Sequence, residues 1–276
     1  LDLTHAHLSK GSLCDDGQWR QIVTVEDALD GGCNLFDLEQ LQLEYSPAEY
    51  DNLLMCEFVD DQASVFPFSE LQGCMVDSLE EWEDFDPYLV RPFAYRPVWI
   101  GYDPSHTGDS AGCAVIAPPS VPGGKFRVLE RHQWKGMDFA AQAKSIEDLT
   151  KRFVVEYIGI DATGIGQGVF QLVQQFFPAA REISYSPEVK TGLVLKAKDT
   201  INSGRLEYDT GHTDITASFM AIRKTMTASG SRATYGASRS EEASHADVAW
   251  AIMHALVNEP LTAANGGQSP NILEFY

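Results

Sequence analysis

The chain has 276 residues, 44% hydrophobic and 11% aromatic, enough to bury a substantial core and to exclude wholesale disorder. No apolar run approaches the roughly 18 to 20 residues that cross a bilayer, and no signal peptide opens the sequence, which begins at Leu1 without a methionine and is expected to be a piece of a longer polypeptide. The net charge of −20 is unevenly spread: residues 1–95 carry 21 acids against 3 bases, and residues 96–276 carry 19 against 17. Only the second part can accept a polyanion; the first would repel one, and suits solvent or a protein partner. The five cysteines are scattered without a CxxC pair, which points to free thiols in a reducing cytosol and to neither a zinc site nor a disulfide scaffold.

Residues 1–95 read as short helices and loops. TVEDAL is a helix start, with Thr24 as cap and Asp27 three residues on. FDLEQLQLEY and SPAEYDNLLMCEF have helical spacing, the latter with Ser46 as cap and Pro47 at the first helical position. From Ser78 to Pro97 the chain turns acidic and aromatic, and prolines 87, 92 and 97 deny it regular structure, which sets a boundary near residue 95.

After that boundary the pattern becomes orderly. Strands are expected at 98–103, 111–117 and 125–134, joined by short Gly- and Pro-containing connections that suit an antiparallel meander. A helix at 138–152, a buried strand at 154–161 (VVEYIGID), a helix opened by ATGIGQG, a short strand in EISYSP and helices at 190–203 and 212–227 follow. RATYGAS (232–238) looks extended, and SHADVAWAIMHALV (244–257) is a final helix. The tail from Pro260 is rich in Gly, Asn, Gln and Pro, a flexible peptide whose apolar end ILEFY suits docking. Three antiparallel strands followed by right-handed crossovers predict an α/β fold, a mixed sheet covered by helices.

Three carboxylates fall at element ends. Asp103 closes the first strand and Asp161 the fourth; if those strands are parallel neighbours, both acids emerge at one sheet edge. Asp247 lies in the first turn of the last helix, which can cross that edge. Three carboxylates repel unless a cation sits among them, and a hard divalent ion wants that oxygen shell. Two such ions would activate a water and stabilise a leaving oxygen in phosphodiester cleavage. Each acid also has a structural reading: Asp103 before Pro104 and Asp161 before Ala-Thr-Gly as turn-formers, Asp247 as the fourth member of a capping box begun by Ser244. Asp109 is equally open to an auxiliary-ligand or a solvated loop role, and His106 and His245 lie nearby but read first as surface residues. Two stretches are decoys. In GIDATGIGQG the glycines at 164, 166 and 168 miss the dinucleotide fingerprint at Val169, and GGKF has Pro119 and Phe126 where a phosphate loop needs Gly and Ser or Thr.

VWIGYDPSHTGDSAG, YIGIDATGIGQGVF and HADVAWAIMHAL, in that order, resemble the C-terminal nuclease domain of the large terminase subunit of tailed double-stranded DNA bacteriophages, within the ribonuclease H-like superfamily. The resemblance covers roughly residues 96–258. FDLEQLQLEYSPAEYDNLLMCEFVDD and SVFPFSEL look like the segment joining that family's ATPase motor to its nuclease. What it implies is a motor remnant and linker over residues 1–95, a ribonuclease H-like nuclease domain over 96–259 and a tail over 260–276. The implied activity is a Mg²⁺- or Mn²⁺-dependent endonuclease, with two ions, that cuts concatemeric viral DNA during packaging. Asp103 would bridge the metals and Asp161 and Asp247 complete the shell; relatives often carry Glu at the second position, which leaves the ligand geometry at Asp161 open. Implied partners are double-stranded DNA, a portal protein and a small terminase subunit, with the intact protein a homo-oligomeric ring in the host bacterial cytoplasm and no membrane involved. The bases Lys190, Lys196, Lys198, Arg205, Arg223, Lys224, Arg232 and Arg239 could track a phosphate backbone or form a solvated face. Competing readings are an actin- or sugar-kinase-like ATPase, a non-catalytic portal interaction module, and another ribonuclease H-like enzyme such as a resolvase or transposase.

Overall fold

The structure is a computed structural model that describes residues 8–14, 17–44, 50, 54–56, 64–105, 110–226, 233–237 and 246–259. It divides into two compact units, Leu1–Gln62 and Ala63–Tyr276. In the first, strands β1 (Ser12–Leu13) and β2 (Trp19–Arg20) pair antiparallel, and helices α1 (Val25–Asp30) and α2 (Leu38–Glu44) follow. The expected capping box is present: the Thr24 hydroxyl accepts from the Asp27 N–H at 3.1 Å, and the Asp27 carboxylate accepts from the Thr24 N–H at 2.8 Å. The expected Ser46 cap lies outside the described residues.

The second unit begins with α3 (Phe68–Leu71), a 3-10 turn (Gln72–Cys74), β3 (Met75–Val76) and α4 (Ser78–Glu81). Then come β4 (Pro97–Asp103), β5 (Ser110–Ala117), β6 (Phe126–Lys135), α5 (Phe139–Arg152), β7 (Val154–Asp161), α6 (Gly166–Phe176), β8 (Arg181–Ile183), α7 (Pro187–Asn202), β9 (Leu206–Asp209), α8 (Thr213–Met220), β10 (Ile222–Met226), β11 (Ala233–Ala237) and α9 (Asp247–Leu256). Among the described residues seven strands form one mixed sheet in the order β3-β9-β6-β5-β4-β7-β8. The meander β4-β5-β6 is antiparallel and β4 pairs β7 in parallel, as expected.

Three features depart from the sequence reading. The chain parts at Gln62 rather than near residue 95, because residues 66–93 supply sheet and core: β3 pairs β9, and Phe66, Leu71, Cys74, Trp82, Phe85 and Phe93 are buried. Strand β9 was not expected; its Leu206 and Tyr208 are buried and its acids less so, but four residues are too few for alternation to stand out. The expected helix at 212–227 ends at Met220, and Ile222–Met226 instead pairs antiparallel with Ala233–Ala237.

Strand alternation gives the sheet two faces. Val98, Ile100 and Tyr102 of β4, with alternate residues of β5 and β7, pack under α5 and α6 and the aromatic segment around Trp82 and Phe93. The opposite face carries α7, α8 and α9. Helix α9 lies directly on the backbone of the central strands. A Cβ on Gly101 would stand 1.8 Å from the Ala251 carbonyl, one on Gly112 2.4 Å from that of Asp247, and one on Gly159 2.6 Å from that of His254. Gly101 and Gly159 are register partners on β4 and β7, so the glycines line a trough one helix wide. Just past α9, Glu259 is clasped by Lys196 of α7 at 2.6 Å and by a forked pair of bonds from Arg205 at 2.8 and 3.0 Å. No helix among the described residues is long and apolar enough to cross a membrane.

Candidate active site

Asp103 is the last residue of β4, and its β5 register partner is Gly112. The Asp247 carbonyl occupies the space that a Cβ on Gly112 would fill, so the first residue of α9 rides over the strand pair that holds Asp103. Asp161 ends β7, one step beyond the Tyr102–Ile160 pairing. Because Tyr102 and Ile160 point to the far face, Asp103 and Asp161 point to the face that α9 covers. The three predicted acids therefore come to the same end of the same face.

The structural readings of these acids divide. Among the described residues the Asp103 carboxylate accepts no hydrogen bond from the backbone that follows it; the turn is held instead by buried Gln142, whose amide donates to the Ser105 carbonyl at 2.9 Å and the Met137 carbonyl at 2.8 Å, and which pairs with the Tyr102 hydroxyl. Asp161 does close a turn, accepting the Thr163 N–H at 2.8 Å. Asp247 is the first residue of its helix, after an N-cap at Ala246 that makes no side-chain cap. Ser244, His245, His106 and Asp109 lie outside the described residues.

Electrostatics couples the acids. Burial, then Asp247 and then Asp161, pushes the Asp103 carboxyl well above the usual carboxylate range, while Lys190 works the other way. Asp161 is raised by burial against its bonds to Thr163. Charged forms that disfavour one another in this way fit a cation, and an all-carboxylate donor set fits a hard one. Among the described residues, however, no three His, Cys, Asp or Glu side chains stand in a ready-made ligand shell.

Residues that sequence reasoning missed surround the acids. His254, buried on α9, donates from Nδ1 to the Tyr102 carbonyl at 3.0 Å and accepts from the Tyr185 hydroxyl at Nε2 at 2.7 Å. Both ring nitrogens are occupied, so this histidine is no metal ligand. Burial pushes its pKa down to about 3. The Tyr185 N–H donates to Thr163 Oγ1 at 2.8 Å, tying it to the Asp161 turn. Lys190 Nζ lies 4.6 Å from the Tyr185 ring centroid and 5.2 Å from that of Trp250. Only Lys190 had a signal, as one of the bases between the second and third acids. Of the others, Lys196 and Arg205 hold Glu259, Lys198 donates to the Val65 carbonyl and Arg223 to that of Met220. Arg232 and Arg239 lie outside the described residues.

Neither decoy is a nucleotide loop in form. A Cβ on Gly166 would meet the Asp161 carbonyl at 2.0 Å, so this loop folds back on its own strand, and Lys125 pairs with Glu207 at 2.5 Å.

Residues 100–259 match the family described as "Terminase RNaseH-like domain". The chain belongs to that family. Residues 5–73 match "Terminase large subunit, T4likevirus-type, N-terminal". The chain is 70% identical over its whole length to the "Terminase, ATPase subunit" of Escherichia phage P2, and 45% identical over 91% of its length to the "Probable terminase, ATPase subunit" of Haemophilus phage HP1. It spans less than half of each of these relatives, 47% and 42%. In structure it resembles the large terminase nuclease of thermophilic phage G20c with bound magnesium, with a TM-score of 0.55, 19% identity and coverage of 71% of this chain and 97% of that one. At that identity the likeness shows the fold, a ribonuclease H-like mixed sheet flanked by helices.

Proposed function

We propose that this terminase chain carries a divalent-metal-dependent endonuclease that cuts concatemeric viral DNA during genome packaging. The observation that carries this reading is the convergence of Asp103, Asp161 and Asp247 on one face and at one end of the sheet, with Asp247 and Asp161 each raising Asp103. Magnesium or manganese, two ions at a time, would supply water activation and stabilisation of the leaving oxygen. The chain's own residues would hold them: Asp103 between its two neighbours, Asp161 with one oxygen turned by the Thr163 N–H, and Asp247 from the start of α9. His254 and Tyr185 keep a neutral, hydrogen-bonded floor beneath the acids, so no second titrating ring competes for the cation.

The nuclease domain in this reading is residues 96–259, with the linker residues 63–95 folded into the same compact unit, and the trailing part of the ATPase motor precedes them, supported by the match over 5–73. The intact protein would act as a homo-oligomeric ring on double-stranded DNA, with a portal protein and a small terminase subunit, in the host bacterial cytoplasm. The G20c nuclease binds magnesium and the phage P2 relative is a terminase ATPase subunit; these are properties of those proteins and support the proposal by family.

The test is plasmid cleavage in Mg²⁺ or Mn²⁺ by the wild type and by Asp103→Asn, Asp161→Asn and Asp247→Asn. A carboxylate that shares a catalytic ion is worth several kcal/mol of transition-state stabilisation, so each variant should lose about a hundred-fold or more in rate. Folded variants that cut as well as wild type would overturn the reading. ATP hydrolysis by the same chain, without cleavage, would favour the kinase-like alternative.

A further inference from the structure

The acids' one cationic neighbour in the electrostatics just described is held in an unusual way. Lys190 stands in the first turn of α7, after the Ser186 cap and Pro187. Its Nζ lies over both the Tyr185 and Trp250 rings, 4.6 and 5.2 Å from centroids that are 5.5 Å apart. Neither ring is free to swing away: Tyr185 is bonded to His254 through its hydroxyl and to Thr163 through its N–H, and Trp250 is itself buried on α9, three residues after Asp247. Aromatic faces attract a cation at these distances but accept none of its three hydrogen bonds in the way an oxygen does. Among the described residues the ammonium makes no ion pair or hydrogen bond with a protein group, although the charges of Asp103 and Asp161 bear on it.

We infer that Lys190 is the phosphate-binding residue of this site, an ammonium presented by two aromatic rings to a backbone oxygen of the DNA strand being cut. A partly buried ammonium with its donors unspent is costly unless an acceptor arrives. Three carboxylates beside it would also repel a polyanion, and a fixed positive charge at their margin offsets that repulsion where the strand must approach. Burial draws the lysine below its usual range, and the two aspartates work the other way. The inference rests on the nuclease reading, whose own test is the loss of cutting in the aspartate variants.

The experiment compares wild type with Lys190→Ala, Lys190→Gln and Lys190→Arg, and with Lys144→Ala, which removes an exposed charge from α5 on the opposite face. Circular dichroism and thermal melting establish folding; the Gln variant keeps most of the side chain's packing and carries the test if Ala unfolds. Binding of a fluorescent DNA duplex is measured against salt in EDTA and in Ca²⁺, and plasmid cleavage in Mg²⁺. Loss of one phosphate contact should lower the slope of log affinity against log salt by about 0.9 for Ala and Gln. It should also cut kcat/KM by about ten- to a hundred-fold, with the metal half-saturation unchanged. Lys190→Arg should keep the slope, and Lys144→Ala should match wild type throughout. Wild-type slope and KM in the Ala and Gln variants would overturn the inference, as would a loss confined to metal half-saturation, which marks a counter-charge for the carboxylates. Wild type that cuts while the Lys190 variants match it removes this inference alone; wild type that neither binds nor cuts removes the nuclease reading with it.

Discussion

His254 works as a neutral ring, and that gives the protein a built-in dependence on pH. Its folded pKa of about 3 lies below the unfolded value near 6.5. The unfolded chain therefore binds the extra proton first as pH falls. The stability due to this group is full above about 6.5 and drains away at up to about 1.4 kcal/mol per pH unit towards pH 3. Asp103 acts in the opposite sense, since its raised pKa favours the fold at low pH and weakens it as pH rises. Thermal melting between pH 7 and 4.5 should show a decline in wild type that is shallower in His254→Gln; equal slopes would remove the assignment. Tyr185→Phe leaves Nε2 of His254 without its donor and should cost about 1 to 3 kcal/mol in chemical denaturation, with no change in secondary structure. At this scale the acids were legible because each interrupts apolar sequence at an element end. Tyr185 and His254 were not, because an aromatic or histidine in an apolar run reads as core, and only the packing of α9 across the central strands brings His254 to the segment after β8.

The placement of Asp247 is decided by an element resting on bare backbone. Gly112→Ala would force a methyl to within 2.4 Å of the Asp247 carbonyl, and Gly101→Ala to within 1.8 Å of the Ala251 carbonyl. Overpacking of this kind costs about 1 to 3 kcal/mol or more. Gly112→Ala, at the site end of the helix, should lose cleavage out of proportion to its drop in melting temperature, and Gly101→Ala, at mid-helix, should lose mainly stability. Measuring both quantities on both variants checks the assignment. The central strands were readable because unbroken apolar runs bounded by turns are what a doubly covered sheet demands. The split of residues 212–227 into α8 and β10 was not, because the helix stops at Met220 and Ile222–Met226 pairs antiparallel with Ala233–Ala237, a cross-strand contact that a helical period does not report. The glycines gave no warning either. As single residues inside strands they signal only close approach, and what approaches lies more than ninety residues away.

The whole molecule divides where composition did not suggest. A chain beginning at Ala63 keeps Phe66, Leu71, Trp82, Phe85 and Phe93 in the two cores, the β3–β9 pairing and the bond from Ser78 N–H to Asp209 at 2.9 Å. One beginning at Arg96 loses all of these. The longer chain should melt cooperatively; the shorter should melt many degrees lower or fail to fold, and calorimetry of the two decides. Acidity misled here because Trp82 and Phe93 are buried through Arg127, which stacks on both rings and is neutralised by Asp84, so the surrounding acids coat a segment that belongs to the core. The clasp on Glu259 has a mechanical consequence. Tension applied to the chain beyond that residue would load the Lys196 and Arg205 pairs in shear before it reached α9, whose far end lies about 15 Å away. Glu259 is in effect a strain relief, which isolates the seat of Asp247 from a pull on the tail.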